Sequence, residues 1–205
     1  MEYYGFFDGD QYYGQEELAR YFENIYESGV SIDSNNNMTM RVYKEESVIK
    51  VDKGFSIIKG FYLYNDNPKT INIVADSNYD RVDRIVIRLN LSTKTVSIEH
   101  KKGTPGSKPT APNLQRDNLI HELSLAQVYV YRNGNTTITD ERYRKDLCGA
   151  IRPKNLTEFN NMIENMTKEF DKWFNAQQEK GWRNIYIDEN DPVESVAGSI
   201  WLRIL

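Results

Sequence analysis

The residues of this sequence that could do chemistry are few: two histidines, His100 and His121, one cysteine, Cys148, and several short acidic spacings. His121-Glu122 opens like the helix of a zinc protease. The next residues are Leu123-Ser124-Leu125, with no second histidine one turn later, and the segment alternates like a strand. A zinc site using His100 and His121 would need carboxylates at its other positions. Asp33-x-Asn35-x-Asn37 and Asp76-x-Asn78-x-Asp80 start like calcium loops. Such a loop requires glycine at its sixth position and a bidentate glutamate at its twelfth, where Met38 and Lys44, then Arg81 and Ile87, stand instead, so both read as Asn/Asp-rich turns. Lys102-Gly103-Thr104 echoes the end of a phosphate-binding loop, without the upstream glycine or the helix that follows one. Asp80 and Asp83 could act as a carboxylate pair, yet they flank Arg81 and Arg84 as in an ion-pair ladder at a strand start. Cys148, with no histidine near it in sequence, reads as part of a packed domain edge rather than as a nucleophile. These failures at chemically required positions predict no catalytic residues, no metal and no cofactor.

Charge narrows the partners. The 26 Lys+Arg against 30 Asp+Glu leave a net charge of −4, and no Lys/Arg run is long enough to build a basic face, which argues against nucleic acid. No run of about 18 apolar residues occurs, so no membrane insertion by a spanning helix is expected. The single cysteine and the lack of a basic, apolar leader point to folding in a reducing cytoplasm. Hydrophobic residues make up only 39%, but aromatics reach 12% with 14 Tyr, which speaks against disorder and for aromatic surfaces that close on a partner.

The elements that would position such surfaces follow from periodicity. Residues 1–13 carry an aromatic cluster, Tyr3, Tyr4, Phe6, Phe7, Tyr12 and Tyr13, broken by Gly5 and Gly9. Leu18, Tyr21, Phe22, Ile25 and Tyr26 then follow helical spacing behind Glu16 and Glu17, predicting a short helix over 14–28 that ends at Ser28-Gly29. From 39 to 140 the period becomes two, with strands expected at 47–51, 55–64, 70–74, 81–91, 95–100, 120–131 and 136–139. Short separators, Asp52-Lys53-Gly54, 65–68, 92–94 and 132–135, read mostly as hairpins, so the fold class expected is mainly β with flanking helices, an antiparallel β-sandwich or barrel. Residues 103–112 hold three prolines and predict an extended strap across the surface.

Asn155 with Glu158 resembles a capping box and predicts a helix start at Asn155. Leu156, Phe159, Ile163, Met166, Phe170 and Trp173 then step by three and four residues, a heptad seam running toward Glu179. Residues 182–205 contain a turn-rich acidic stretch, 188–192, and a strand-like ending, 199–205. The organisation expected is therefore a helix plus β-sandwich attachment domain at 1–151, an oligomerising helix at 152–181, and a short strand-containing tail at 182–205.

Taken in order, a set of short motifs forms a known pattern: Tyr3-Tyr4-Gly5-Phe6-Phe7-Asp8, Ala19-Arg20-Tyr21-Phe22-Glu23 with Gly29-Val30, and Asp80-Arg81-Val82-Asp83-Arg84-Ile85-Val86-Ile87-Arg88-Leu89. Lys101-Lys102-Gly103-Thr104-Pro105 with Pro109 and Pro112, Leu114-Gln115-Arg116, Glu122-Leu123-Ser124-Leu125-Ala126, and Asp140-Glu141-Arg142 with Cys148-Gly149 continue it. Over roughly residues 1–151 the chain resembles the amino-terminal domain of tail and baseplate proteins from phages and prophages of low-GC Gram-positive bacteria, or of phage-tail-like bacteriocins. The resemblance implies a virion structural protein at the tail tip, made in the bacterial cytoplasm, that acts as an adaptor or fibre-base component carrying receptor-binding parts. It also implies other tail proteins as partners and three-fold self-association. The ending Gly198-Ser199-Ile200-Trp201-Leu202 is similar to the short endings of such proteins, so a complete small protein is expected.

Two surfaces then become candidate sites. Leu156, Phe159, Ile163, Met166, Phe170 and Trp173 would form the oligomer interface, and Tyr3, Tyr4, Phe6 and Phe7 the attachment to a partner. The bland alternatives are a helix packed on its own domain and an aromatic lid on the sandwich. A glycan-binding receptor protein recognising a host cell-surface glycan is the alternative function, because Tyr and Trp serve sugar stacking as well as protein interfaces. A cell-wall hydrolase ranks last, for want of an acid–base pair or metal cluster.

Overall fold

The computed structural model describes residues 14–179, 185–188, 190 and 200–203. It divides into two units, Met1–Asn155 and Leu156–Leu205. The first carries helix α1 (Gln15–Ile25), then β1 (Gly29–Val30), β2 (Val42–Glu45), β3 (Val48–Val51), β4 (Gly54–Ile58), β5 (Phe61–Asn65), β6 (Lys69–Ile71), β7 (Arg81–Asn90), β8 (Thr95–Lys101), β9 (Ile120–Val130) and β10 (Thr136–Asp140). They pair as three antiparallel sheets in the orders β10-β9-β7-β8, β1-β4-β5 and β2-β3-β6. The described chain is thus mainly antiparallel β with two helices, as its period-two pattern predicted.

Strand alternation decides which side chains become core. Ile85, Ile87 and Leu89 of β7 join Leu123 of β9, Ile98 of β8, Val30, Met40, Ile49 and Val51 in one apolar cluster. A bulge between Ile85 and Val86 shifts the register so that Ile85 faces Ala126 and Val86 faces Ser124. The bulge places both Leu125 and Ala126 in the core, each essentially inaccessible to solvent.

Several local expectations need correction. The run 55–64 is two strands. Ile58 pairs with Phe61 across a two-residue loop, Lys59-Gly60, whose φ angles of 51° and 78° are those of a type I′ hairpin turn. Asp52-Lys53-Gly54 and residues 65–68, read as hairpins, instead pass the chain from one sheet to another, since β3 and β6 pair in one sheet and β4 and β5 in a second. β1 and β2 were not anticipated. Gly29, read as a helix stop, pairs with Ile57 as part of β1. Helix α1 begins after Gly14, whose N–H donates to the Glu17 carboxylate at 2.9 Å, and it buries Ala19 rather than its bulky stripe. Leu18, Tyr21 and Phe22 stay exposed. The reason is contact distance: a Cβ on Gly60 would lie 1.8 Å from the Ala19 carbonyl oxygen, so the helix rests on the hairpin turn through its smallest residue.

The segment that follows α1 is tied to residues 149–152, near the carboxyl end of the first unit. Glu27 N–H donates to the Arg152 carbonyl at 2.7 Å, Val30 N–H to that of Gly149 at 3.0 Å, and Ile151 N–H to that of Val30 at 3.0 Å. A side chain at Gly29 would meet the Gly149 carbonyl at 2.5 Å, so only glycine permits this approach.

In the second unit, α2 (Thr157–Glu179) follows a 3-10 turn at Lys154–Leu156. The helix expected from Asn155 therefore turns α-helical at Thr157, a tightened first turn of the kind common at helix starts. Strands β11 (Ile185–Asp188) and β12 (Ile200–Arg203) pair in parallel. The strand-like ending was expected; β11 was not.

Candidate functional site

The face of the four-stranded sheet opposite the core is charged. Alternation places Arg84, Val86 and Arg88 of β7 beside Ser97, Glu99 and Lys101 of β8 and Glu122, Ser124 and Gln127 of β9. Glu122, with no solvent access, accepts from Arg88 Nε at 2.9 Å, Lys101 Nζ at 2.7 Å and the Gln115 N–H at 2.6 Å. Glu141, also buried, lies 3.2 Å from Arg84 Nε and accepts from Ser124 at 2.5 Å and Gln127 at 2.6 Å. The Pro-rich segment crosses this face and is pinned to it: Arg84 donates to the Pro112 carbonyl at 2.8 Å. Arg116 donates to the carbonyls of Asp146 and Leu147 at 2.7 and 2.8 Å, fixing the following loop as well.

At the end of the core face, Arg81 and Asp83 form a buried pair at 2.8 Å, and His100 Nε2 lies 2.7 Å from the same carboxylate. Burial alone would raise the Asp83 carboxyl, but hydrogen bonds from His100, Arg81 and the Gly103 N–H outweigh it and hold it below its ordinary value. Glu122 is governed likewise: burial raises it, and the Gln115 N–H, Lys101 and Arg88 together bring it down. These carboxylates stay ionised and engaged, the state of structural ion pairs rather than of a proton-transferring acid.

The residues singled out for chemistry have structural duties. Asp33 accepts the N–H groups of Asn35 and Asn37 at 2.9 and 2.8 Å, and Asp76 those of Asn78 and Tyr79 at 2.9 and 3.0 Å, so both calcium-like spacings close turns. Asp80 accepts from the Tyr129 hydroxyl at 3.0 Å and the Arg132 N–H at 2.8 Å, so in the ladder only Asp83 pairs with Arg81, while Arg84 reaches across to Glu141. His121 sits in a groove of about 820 Å³ beside α1 with Glu23 and Lys59. Burial, Arg116 and Lys59 push its imidazole below the ordinary value. Cys148 is buried and its thiol is pushed up to about 12 by that burial, which leaves no thiolate to attack anything at neutral pH. Among the described residues no three His, Cys, Asp or Glu are placed to hold a metal, and no helix is long and apolar enough to cross a membrane.

The candidate interfaces fare differently. Tyr3, Tyr4, Phe6 and Phe7 lie outside the described residues. Along the turn before α2 and α2 itself the seam is exposed among the described residues: Leu156, Phe159, Ile163, Met166, Phe170 and Trp173 are 39% to 60% exposed, and Phe170 lies against its helix neighbours Trp173 and Phe174, ring centroids 5.8 and 6.0 Å apart. Ile200 and Leu202 of β12 are exposed too. Sequence reasoning missed a second aromatic surface, Tyr62 and Tyr64 on the outer face of β5. Their i, i+2 spacing beside Phe61 and Leu63 was the available signal.

No family model matches the chain, and no curated protein matches it. Among solved structures it is similar to the gene 22 product of the Bacillus subtilis SPP1 phage, with a TM-score of 0.38 and 17% identity over 55% of this chain and 81% of that one. A superposition of that quality does not define a common fold.

Proposed function

We propose that the protein is a virion structural component of a phage tail tip or baseplate, an oligomeric adaptor or fibre base in which three copies join along α2 to carry receptor-binding parts. The observation that supports it is the apolar seam of α2. Five large apolar side chains lie at three- and four-residue steps on this helix, with Leu156 in the turn before it, each worth about 1.5–3 kcal/mol when buried, and among the described residues they are exposed. Association of copies as a helical coiled coil removes that stripe from water. The number three and the tail assignment rest on the resemblance of residues 1–151, and the three sheets of the first unit are read as a closed β-sandwich serving attachment. The same reading makes the chain a non-enzyme, because Asp83, Glu122 and Glu141 are each neutralised by an arginine.

Light scattering tests it. The wild-type mass should be near three times 24.0 kDa, and Phe170→Glu combined with Trp173→Glu should bring it to the monomer value with the β signal of circular dichroism intact. A wild-type protein that remains monomeric at high concentration rejects the adaptor reading.

A further inference from the structure

The surface between β5 and the turn after β10 has the composition of a carbohydrate site, and it was assigned no role above. We propose that this cleft, of about 780 Å³ and walled by Tyr64 and Tyr143, binds a neutral saccharide. The assignment goes beyond the adaptor reading and does not depend on it.

Tyr64 and Tyr143 both line the cleft and both are more than half exposed, at 67% and 59%. Phe55, the cross-strand partner of Tyr64, extends the first wall and stacks on Tyr62 with ring centroids 5.9 Å apart and planes 20° apart. The result is an aromatic shelf at Phe55 and Tyr64, with Tyr143 a further ring in the lining. Gly54 lets the Met40 and Thr39 side chains pack directly on its backbone: a Cβ there would come within 2.6 Å of both Met40 Cγ and Thr39 Oγ1.

The walls are held in place before any ligand arrives. Arg142, almost fully buried, donates to the carbonyl of Thr39 at 2.9 Å and to that of Met38, pairs with Asp140 at 2.6 Å, and lies 5.6 Å from the Tyr143 ring centroid. Asp33 fixes the facing loop through the turn it closes. A preorganised cleft loses little entropy when it binds, which matters most for a small, weakly held ligand.

The chemistry of the lining selects the class of ligand. Asp33, Asp52 and Asp140 are balanced by Arg41, Lys53 and Arg142, so the cleft offers acceptors and donors without favouring an anion or a cation. Arg41 and Lys53 make no side-chain hydrogen bond or ion pair among the described residues, leaving their donors available. A sugar ring matches this arrangement, because its C–H face lies flat on an aromatic ring while its hydroxyls both donate and accept. A phosphorylated or nucleic-acid ligand would call for a net positive lining, which this balanced cleft does not supply.

The test is saturation-transfer difference NMR on the full chain with glucose, galactose, mannose, N-acetylglucosamine, lactose and chitobiose, each at about 10 mM. At least one sugar should show transfer to its ring C–H protons, and Tyr64→Ala and Tyr143→Ala should each weaken binding about tenfold. Tyr79→Ala, an exposed tyrosine outside the cleft, should leave binding unchanged. Absence of transfer from every sugar overturns the proposal, as does binding that survives both cleft substitutions. A response to glycerol phosphate in place of the neutral sugars also overturns it. Neither cleft tyrosine lies on α2, so the oligomer mass is measured independently and each reading can fail without the other.

Discussion

Replacing Glu122 by Gln tests the role given to the charged face. Arg88 is shared by two carboxylates that differ in burial and in partners: Glu122 has no solvent access and also holds Lys101 and the Gln115 N–H, and Glu99, 3.0 Å from the same guanidinium, keeps 39% of its side-chain exposure. Breaking a buried pair costs about 3–5 kcal/mol because it strands a charge. Here Arg88 and Lys101 retain 26% and 22% exposure, so both can turn toward water. The glutamine oxygen can still accept from the Gln115 N–H, which lowers the expected cost to about 2–3 kcal/mol. For a chain of this length each kcal/mol shifts Tm by about 2–4 °C, so Glu122→Gln should melt roughly 5–10 °C below wild type. Glu99→Gln removes a screened, half-exposed partner and should cost at most about 0.5 kcal/mol, a shift near 1–2 °C. Thermal melts followed by circular dichroism at pH 7 supply both numbers. Equal shifts for the two variants, or a Glu122→Gln shift below about 2 °C, would refute the claim that the buried, multiply bonded Glu122 holds this face more strongly than Glu99.

Acid should unfold the protein by discharging the same groups. Asp83 and Glu122 have folded-state values held below the ordinary 3.8 and 4.5, so their contribution is complete above about pH 5 and disappears as pH falls through the lowered values. His121, held below its ordinary 6.5, adds a decline of its own as pH falls from 7 to 5, so the carboxylate loss is read below pH 5, where a Tm that stays level would contradict this. Gly60→Ala puts a side chain on a backbone with φ of 78° and into the Ala19 carbonyl; a loss of more than about 2 kcal/mol is expected by urea titration, and a neutral result would mean α1 does not rest on the turn. Cys148 should fail to react with a thiol-specific disulfide reagent at pH 8 until urea is added; rapid labelling of the native chain would show that its burial is overstated.

What could be read from the sequence was whatever depends on near neighbours. The step of three and four residues in 156–173 announced α2, and the alternation of Ile85, Ile87 and Leu89 announced β7 and its inner face. The outer face was only half legible. Arg84 and Arg88 were visible as charges on a strand, but their partners Glu141 and Glu122 lie 57 and 34 positions away, and no local spacing marks such a pair. The Lys59-Gly60 turn was hidden because the residues on both sides of it have the same β-forming character, so a single long strand was the simplest reading. Which bulky residues of α1 would be buried could not be inferred from helical spacing, since the decision was made by a glycine in a distant turn. The cleft between Tyr64 and Tyr143 was invisible for the same reason: its two walls belong to segments that meet only after the sheets have formed.

The tie between residues 26–30 and residues 149–153 has a mechanical consequence. Any tension applied to the chain beyond Pro153 arrives first at residues 149–153, and these are zipped to residues 26–30 by the Glu27–Arg152, Val30–Gly149 and Ile151–Val30 backbone bonds. The load is thus borne by a short strip of main chain, with each bond contributing about 1 kcal/mol, before it reaches the side chains of Leu125 or Val128. Gly29 sets the strength of that strip, because a residue with a side chain would push the two strands apart. Under force the first event would be peeling of this seam, with the charged sheet and its core still closed behind it.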